Sequence, residues 1–343
     1  MHSFIIAEAG VNHNGSEEIA LRMIEVAASA GANAIKFQSF SSEKLVSKNA
    51  STAKYQKNNT GEVSQYSMLK KLEMSQPMQH KIFAYCNKLG IEFMSTPFDE
   101  DAAEFLIGLG MKRIKISSGE LTNFPFLKKL ASYNLPLILS TGMSSMAEVG
   151  DAIDIIKSES KLETSSEDCE IALSLLHCTS NYPAKIKDVN LKAMQSMANE
   201  FSLPVGYSDH TKGLLIPVAA VAMGATIIEK HFTLDQNMSG PDHSASLNPE
   251  ELHEMVRQVR DVEECLGDGI KVPRKSEIPI RDLVRRSVVL KVDKIAGDEI
   301  QLSDLELLRP GNGIKPEDMK KIVGKRLLDD YKAGTTLKWE FLS

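Results

Sequence analysis

The feature that most constrains this chain is an alternation. From residue 4 to about residue 265, short apolar runs ending in polar clusters alternate with stretches of helical character. The clearest pair is Val205 leading into Gly206-Tyr-Ser-Asp-His-Thr211, and Ile227-Ile-Glu-Lys-His-Phe232, with the small-residue segment 213–224 between them. Strand, helix, strand at this length is a βαβ unit, so the two strands are expected to be parallel neighbours. His210 and His231 then lie at the same end of adjacent strands.

The same rhythm predicts strands at 4–10, 34–38, 92–96, 113–117, 136–142 and 171–177. Ser16 is placed to cap a helix whose first turn carries Glu17 and Glu18 and which Gly31 ends. Further helices are expected near 77–89, 100–109, 124–133, 146–158 and 249–266. Eight strands alternating with eight helices in about 260 residues fit a closed (β/α)8 barrel, with an open doubly wound sheet as the alternative. No GxGxxG follows the first strand and no GxxxxGK[ST] occurs anywhere, which weakens a nucleotide-loop reading.

Three regions break the alternation. Residues 39–66 form a long polar insertion, expected to be a functional loop or lid. The polar stretch 159–168 reads as a turn. Beyond the barrel at 1–266, the Gly-, Pro- and charge-rich stretch 267–282 reads as a linker. Residues 283–343 then read as a β-rich module of about 60 residues, near the lower limit for independent stability and in want of a partner surface. The net charge of −6 gives no global field that would draw nucleic acid or anionic lipid, so an anionic substrate needs a local basic pocket. The cysteines Cys86, Cys169, Cys178 and Cys265 form no CxxC and read as reduced thiols of a cytoplasmic protein. Neither a signal peptide nor an apolar run long enough for a membrane span is visible.

In a barrel of this kind the reacting groups project from the C-terminal strand ends. Those ends deliver Glu8, Asn12 and His13; Lys36 and Gln38; Ser95 and Thr96; Lys115, Ser117, Ser118 and Glu120; Ser140 and Thr141. The later ends deliver His177, Thr179, Ser180, Asn181 and Tyr182; Ser208, Asp209 and His210; Glu229, Lys230 and His231; then Asp242 and His243. Structural roles compete at several positions. Lys36 with Glu8, and Lys115 with Glu120, fit interior ion pairs, although such pairs stabilise weakly and their repetition favours function. His177 sits in an apolar run as a core histidine would, Tyr182-Pro183 fits the start of a turn, and Lys230 alternates toward the outer helices. The remaining groups describe an anion pocket suited to phosphate, two imidazoles suited to a divalent metal with open positions, and carboxylates suited to proton transfer. Metal-assisted chemistry on a small phosphorylated anion follows; its rival is an aldolase using Lys36 or Lys115 as an imine nucleophile.

The motifs Ile6-Ala-Glu-Ala-Gly-Val-Asn-His13, Lys36-Phe-Gln38, Ser95-Thr-Pro-Phe98, Lys115-Ile-Ser-Ser-Gly-Glu120, Leu139-Ser-Thr-Gly-Met143, His177-Cys-Thr-Ser180 and Gly240-Pro-Asp242 keep their order with the two histidine motifs. Together they resemble the bacterial sialic acid synthase family, which includes legionaminate-type synthases. Arg309-Pro-Gly-Asn-Gly313 is similar to that family's antifreeze-like (SAF) domain.

The resemblance implies a TIM barrel plus SAF domain that condenses phosphoenolpyruvate (PEP) with an N-acetylated mannose-type sugar. It assigns PEP binding to Lys36, Thr96, Lys115, Ser118, Tyr182 and Ser208, and a divalent metal to His210 and His231. That metal is usually Mn²⁺, with Mg²⁺ or Co²⁺ as alternatives. Glu8, Glu120 and Asp242 are the implied catalytic carboxylates, and Glu8, Gln38, Asp242 and Arg309 the implied sugar contacts. Arg309 is expected to enter the partner's site in a domain-swapped homodimer. Ser180 departs from the asparagine that some members carry there. The implied reaction is attack of PEP C3 on the sugar aldehyde, addition of water activated by Glu120 at C2, and loss of phosphate by C–O cleavage. N-acetylmannosamine, giving N-acetylneuraminate, is the expected acceptor; a 2,4-diacetamido-2,4,6-trideoxy sugar, giving a legionaminate-type acid, is the alternative. Lys54-Tyr-Gln56 and Gln65 in the insertion are expected to bear on that choice. A non-catalytic sugar-binding barrel is the remaining alternative.

Overall fold

The computed structural model describes residues 2–160 and 173–343. Cys169, the expected start of the sixth strand at Ile171 and most of the polar stretch 159–168 lie outside the described residues. The first compact unit spans Met1–Gly267 and the second Asp268–Ser343.

Among the described residues of the first unit, the strands are β1 Phe4–Gly10, β2 Ala34–Ser39, β3 Glu92–Pro97, β4 Ile114–Ile116, β5 Leu137–Ser140, β6 Leu173–Cys178, β7 Val205–Asp209 and β8 Ile227–His231. They pair in parallel in the order β3-β2-β1-β8-β7-β6-β5-β4. Strand β3 lies against β4, so the sheet curls into a nearly closed ring, as a (β/α)8 barrel requires and an open doubly wound sheet does not. The pleat explains what each strand sends inward. Ile6, Ala34, Met94, Ile138, Leu176 and Ile227 form an apolar plug inside the ring. Two residues further along the same strands stand Glu8, Lys36, Thr96, Ser140, Cys178 and Glu229. Successive side chains alternate across a strand, so the polar layer sits one pleat above the plug on the same inner face. Gly206 lets β7 pack closely here: a Cβ would stand 2.3 Å from the Ile227 carbonyl oxygen and 2.7 Å from Leu176 Cδ2.

The outward strand residues, such as Ile5, Ile35, Phe37 and Ile228, are buried under the surrounding helices. The first helix, Glu17–Ser29, starts where the Ser16 side chain accepts from the Ile19 amide. Its inner face, Ala20, Met23, Ile24 and Ala27, follows helical spacing. Lys192–Phe201 supplies the helix between β6 and β7, with Met194 and Met197 buried at helical spacing.

The insertion at 39–66 proves to be ordered. It contains the short helices Ser42–Leu45 and Lys54–Thr60 and leads into Gln65–Lys70. Local caps explain this: Gln56 Oε1 accepts from the Ala53 amide at 2.9 Å, and Ser64 Oγ from the Ser67 amide at 3.3 Å. Its few apolar side chains join a separate small core of Val11, Phe40, Met68 and Leu72, flanked by Leu45, Leu69 and Phe98.

In the second unit, β9 Ser287–Leu290 pairs antiparallel with β10 Leu305–Leu308. A core of Val288, Leu290, Ile300, Leu305, Ile314, Ile322, Leu327 and Leu337 is wrapped largely by turns. The expected linker 267–282 needs correction. Glu277–Val284 is helical, Glu277 Oε2 accepts from the Arg274 amide at 2.7 Å, and the Asp282 carbonyl accepts from Gly311 N at 2.8 Å. That part of the stretch therefore belongs to the second unit. Among the described residues, no helix is long and apolar enough to cross a membrane.

Candidate active site

The polar layer inside the barrel is a compact set of charges. Lys36 Nζ lies 2.8 Å from Glu8 Oε2 and 3.7 Å from Glu229 Oε2, and donates to Thr96 Oγ1 at 2.9 Å. Lys115 Nζ lies 3.3 Å from Glu229 Oε1 and donates to Ser140 Oγ at 2.7 Å. Ser208 Oγ donates to Glu229 Oε1 at 2.9 Å, and Gln38 Nε2 to Glu8 Oε1 at 3.3 Å. The charged members are nearly sealed from solvent, at 1 to 4% exposure. Such an arrangement is sustainable only because opposite charges face each other.

Glu229 is the hub. Burial opposes its charge, but Lys115 and Lys36 outweigh burial and hold its carboxyl below the usual range. For Glu8, burial outweighs Lys36, and the nearby Glu229 charge adds to the upward push. Burial works against the Lys36 ammonium, yet Glu229 and Glu8 raise its pKa overall; for Lys115, burial prevails and the pKa falls. The shifts of Glu8 and Lys36 pull one pair in opposite directions. Because Lys36 lies between two carboxylates, we assign it the charge and place the exchangeable proton on Glu8.

The competing structural reading of the sequence pairs Lys115 with Glu120. The structure corrects this: Glu229 takes that role, while Glu120 lies in the short 3-10 turn Ser118–Glu120 and accepts from Asn123 Nδ2 at 2.7 Å. In the sequence Glu229 is a strand-end residue, but it is not among the site residues that the resemblance implies. Its signal was the Glu-Lys-His order, which turns Glu229 and His231 inward together. Lys230 points outward and pairs with Asp209, fully buried.

Above this layer stand the histidines. The ring centroids of His210 and His231 are 5.7 Å apart, and the Tyr182 ring lies 4.1 Å from His210. His210 Nδ1 donates to the Thr179 carbonyl at 2.8 Å, which leaves Nε2 with a free lone pair. His231 Nδ1 is buried and has no hydrogen-bond partner among the described residues. Burial lowers both pKa values, that of His231 strongly, so both rings are neutral at pH 7. Two neutral imidazoles with unshared lone pairs fit a divalent metal. Among the described residues no cluster of three or more His, Cys, Asp or Glu side chains completes a metal cage. Substrate or water would therefore fill the other positions. Asp242 is buried nearby, and burial alone pushes its carboxyl up to about 6.

These groups share one cavity of about 490 Å³. Glu8, Lys36, Gln38, Thr96, Lys115, Ser118, Glu120, Tyr182, Ser208, His210, His231 and Asp242 all line it. Arg309 is exposed in the second unit, just after β10. Ser118 Oγ accepts from the Gly142 amide at 3.0 Å and lies 3.2 Å from Cys178 Sγ. A Cβ on Gly142 would sit 2.3 Å from Ser180 Oγ and 2.9 Å from Ser118 Oγ, so any larger residue would push on the side chains that line the pocket here. Tyr55 of the insertion stacks on Tyr182 at 5.5 Å. Other strand-end groups serve the framework. His177 lies 2.8 Å from the Val189 carbonyl, Asn12 holds the Phe232 carbonyl, and His243 bonds Thr233.

Comparison with known proteins gives a consistent picture. Residues 23–271 match the NeuB family and residues 285–343 match the SAF domain. The chain is 54% identical over 343 residues to the N,N'-diacetyllegionaminic acid synthase of Legionella pneumophila, covering all of this chain and 95% of that one. It is 46% identical over 332 residues to the enzyme of the same name from Campylobacter jejuni, covering 96% and 97%. Among solved structures, the N-acetylneuraminic acid synthetase of Leptospira borgpetersenii in complex with citrate is 37% identical. It superimposes with a TM-score of 0.71, covering 82% of this chain and 90% of that one.

Proposed function

The chain belongs to the NeuB family of synthases, which condense PEP with sugars, and we propose that its acceptor is a 2,4-diacetamido-2,4,6-trideoxymannose, giving N,N'-diacetyllegionaminate and phosphate. The observation that carries the acceptor is full-length similarity to two relatives named as synthases of that acid. The expectation of N-acetylmannosamine, drawn from motifs shared across the family, yields to this alternative.

The buried lysines are the donor site in this reading. Lys36 and Lys115 hold the phosphate and carboxylate of PEP as ammonium donors, with Thr96, Ser118, Ser208 and Tyr182 completing the hydrogen bonds. PEP competes with Glu229 for these lysines; before PEP arrives, that carboxylate bridges the two ammoniums and offsets their repulsion. His210 and His231 would hold a divalent metal, Mn²⁺ by family resemblance, which would supply Lewis-acid polarisation of the sugar aldehyde. Glu8, Gln38 and Asp242 face the acceptor. Glu8 stands opposite His231 in register and carries the exchangeable proton, so it protonates the oxygen of the former aldehyde. PEP C3 forms the new carbon–carbon bond, and positive charge develops at C2. Glu120 takes a proton from water as it adds to C2. The C2–O bond to phosphate then breaks, its electron pair leaves with phosphate, and the C2 hydroxyl gives its proton to the departing phosphate, which leaves the C2 ketone. Imine chemistry at Lys36 is disfavoured, because Glu8 and Glu229 hold it as a charged donor, and Lys115 is engaged by Glu229 and Ser140.

We also propose a homodimer in which Arg309 enters the partner's site, on the strength of the Arg309-Pro-Gly-Asn-Gly313 motif. Free Cys86, Cys178 and Cys265 suit the reducing cytoplasm as its location. The test is turnover with PEP, Mn²⁺ and a panel of amino sugars, read by product mass. PEP labelled with ¹⁸O in the bridging position should deliver the label to phosphate. Retention of the label in the sugar acid would refute C–O cleavage, and a preference for N-acetylmannosamine would refute the acceptor.

A further inference from the structure

The two candidate acceptors are identical around the aldehyde and differ at C4 and C6. N-acetylmannosamine carries hydroxyls there; the diacetamido sugar carries an acetamido group and a methyl. C1 must meet PEP beside the buried lysines and histidines, so the open chain runs outward and its differing end lies at the mouth of the cavity. There the lining changes character. The insertion and the helix that continues from it contribute Leu45, Val46, Gln65 and Leu69 to the cavity wall, beside Tyr55 and Gln56. Gln65 and Leu69 are one helical turn apart on Gln65–Lys70, and residues at that spacing share a face. The side-chain amide of Gln65 has no hydrogen-bond partner among the described residues, whereas Gln56 is engaged in capping.

The wall is also held in place. Leu45 and Leu69 pack on the buried Met68, Leu72, Val11 and Phe40. Ser42 N donates to Glu73 Oε1 at 2.6 Å, and Asn59 Nδ2 to the Pro241 carbonyl at 2.7 Å, next to Asp242. A free amide beside leucine methyls is the complement of an acetamido group: an amide that ends in a methyl. The same leucines suit a deoxy terminus and leave a hydroxyl without a partner.

We propose that Gln65, Leu69 and Leu45 form the subsite that selects the distal end of the acceptor, with Gln65 pairing the 4-acetamido group and the leucines covering its methyl and the 6-methyl. This subsite rests on the diacetamido acceptor proposed above. The experiment compares kcat/KM for the diacetamido sugar and N-acetylmannosamine in the full-length wild type, Leu69→Gln, Leu45→Gln and Gln65→Ala. Each variant should lower the preference for the diacetamido sugar about 10- to 100-fold, the range a lost pocket contact gives. KM for PEP should stay within about 2-fold, which also reports an intact barrel. If the wild type prefers the diacetamido sugar and the variants keep its preference ratio, the subsite is refuted while the proposed function stands. If the wild type prefers N-acetylmannosamine, both fall. Gln65→Ala shortens a half-buried side chain without burying a polar group, so its ratio decides the matter should either leucine variant fail to fold.

Discussion

Replacing Glu229 with glutamine tests the electrostatic design of the donor site. The substitution keeps the shape and the Ser208 hydrogen bond but removes the only negative charge within 4 Å of Lys115 Nζ among the described residues. Lys36 retains Glu8 at 2.8 Å. Breaking a buried ion pair from one side costs about 3–5 kcal/mol. The lower end applies here, because the cavity admits water and Glu8, relieved of its neighbour's repulsion, ionises more readily. For a domain the size of this barrel, about 3 kcal/mol corresponds to a fall in Tm of roughly 6 to 12 °C. PEP returns negative charge to both lysines, so its binding should offset much of that loss. The assay is thermal denaturation of wild type and Glu229→Gln, with chelator, over a PEP titration without acceptor. PEP should raise the Tm of the variant more than that of the wild type, and at lower concentration, as linkage requires. An unchanged Tm without PEP, or a smaller PEP-induced rise in the variant, would refute Glu229 as a counter-ion that PEP displaces.

Lys115→Met should raise KM for PEP about 10- to 100-fold in steady-state assays, matching one lost charged hydrogen bond, with less effect on the acceptor's KM. Chelation should abolish phosphate release, and Mn²⁺ should restore it; full activity in chelator would dismiss the metal role of His210 and His231. Arg309→Ala should lower turnover while leaving the circular dichroism of the barrel unchanged. Burial holds His13 down to about 4, so the folded state favours its neutral form. Stability from this group is complete above its unfolded pKa of about 6.5 and is lost as pH falls toward 4, amounting to about 2 kcal/mol at pH 5. Urea midpoints at pH 7 and pH 5 should therefore differ less in His13→Gln than in the wild type.

The barrel was legible because both of its periodicities are local. Apolar residues two apart placed Ile6 with Glu8 and Ala34 with Lys36 on one face, and Ser16 announced its helix by the capping oxygen. Pairing across the ring was not local. Lys115 has Glu120 five positions away in sequence, but its partner Glu229 comes from β8, which only barrel closure brings opposite β4. The short helices of the insertion and of the segment that follows it are also not legible in the sequence. At 4, 7 and 6 residues they are too brief to show a hydrophobic period, and side-chain caps and the small core around Met68 hold them instead. Likewise, Glu277–Val284 has no buried residue to mark it as helical.

The same distinction separates donor from acceptor. Most of the motifs that mark the family stand at strand ends, and the pleat turns residues such as Glu8, Lys36, Thr96 and His231 onto the lysine and histidine layers, where the proposed chemistry common to PEP and an aldehyde would take place. In the proposed subsite, the far end of the sugar would meet a wall that no strand supplies. Leu45 and Val46 come from the segment after β2, and Gln65 and Leu69 from the helix that follows. That wall is coupled to the chemistry at two points, through Tyr55 stacked on Tyr182 and through Asn59 bonded beside Asp242. An acceptor that fits the wall thus favours the same insertion position that presses Tyr182 toward His210 and fixes the Asp242 loop. Discrimination in this enzyme should therefore appear in kcat as well as in KM, because a sugar that fails to seat against Leu69 leaves the groups around its own aldehyde less firmly held.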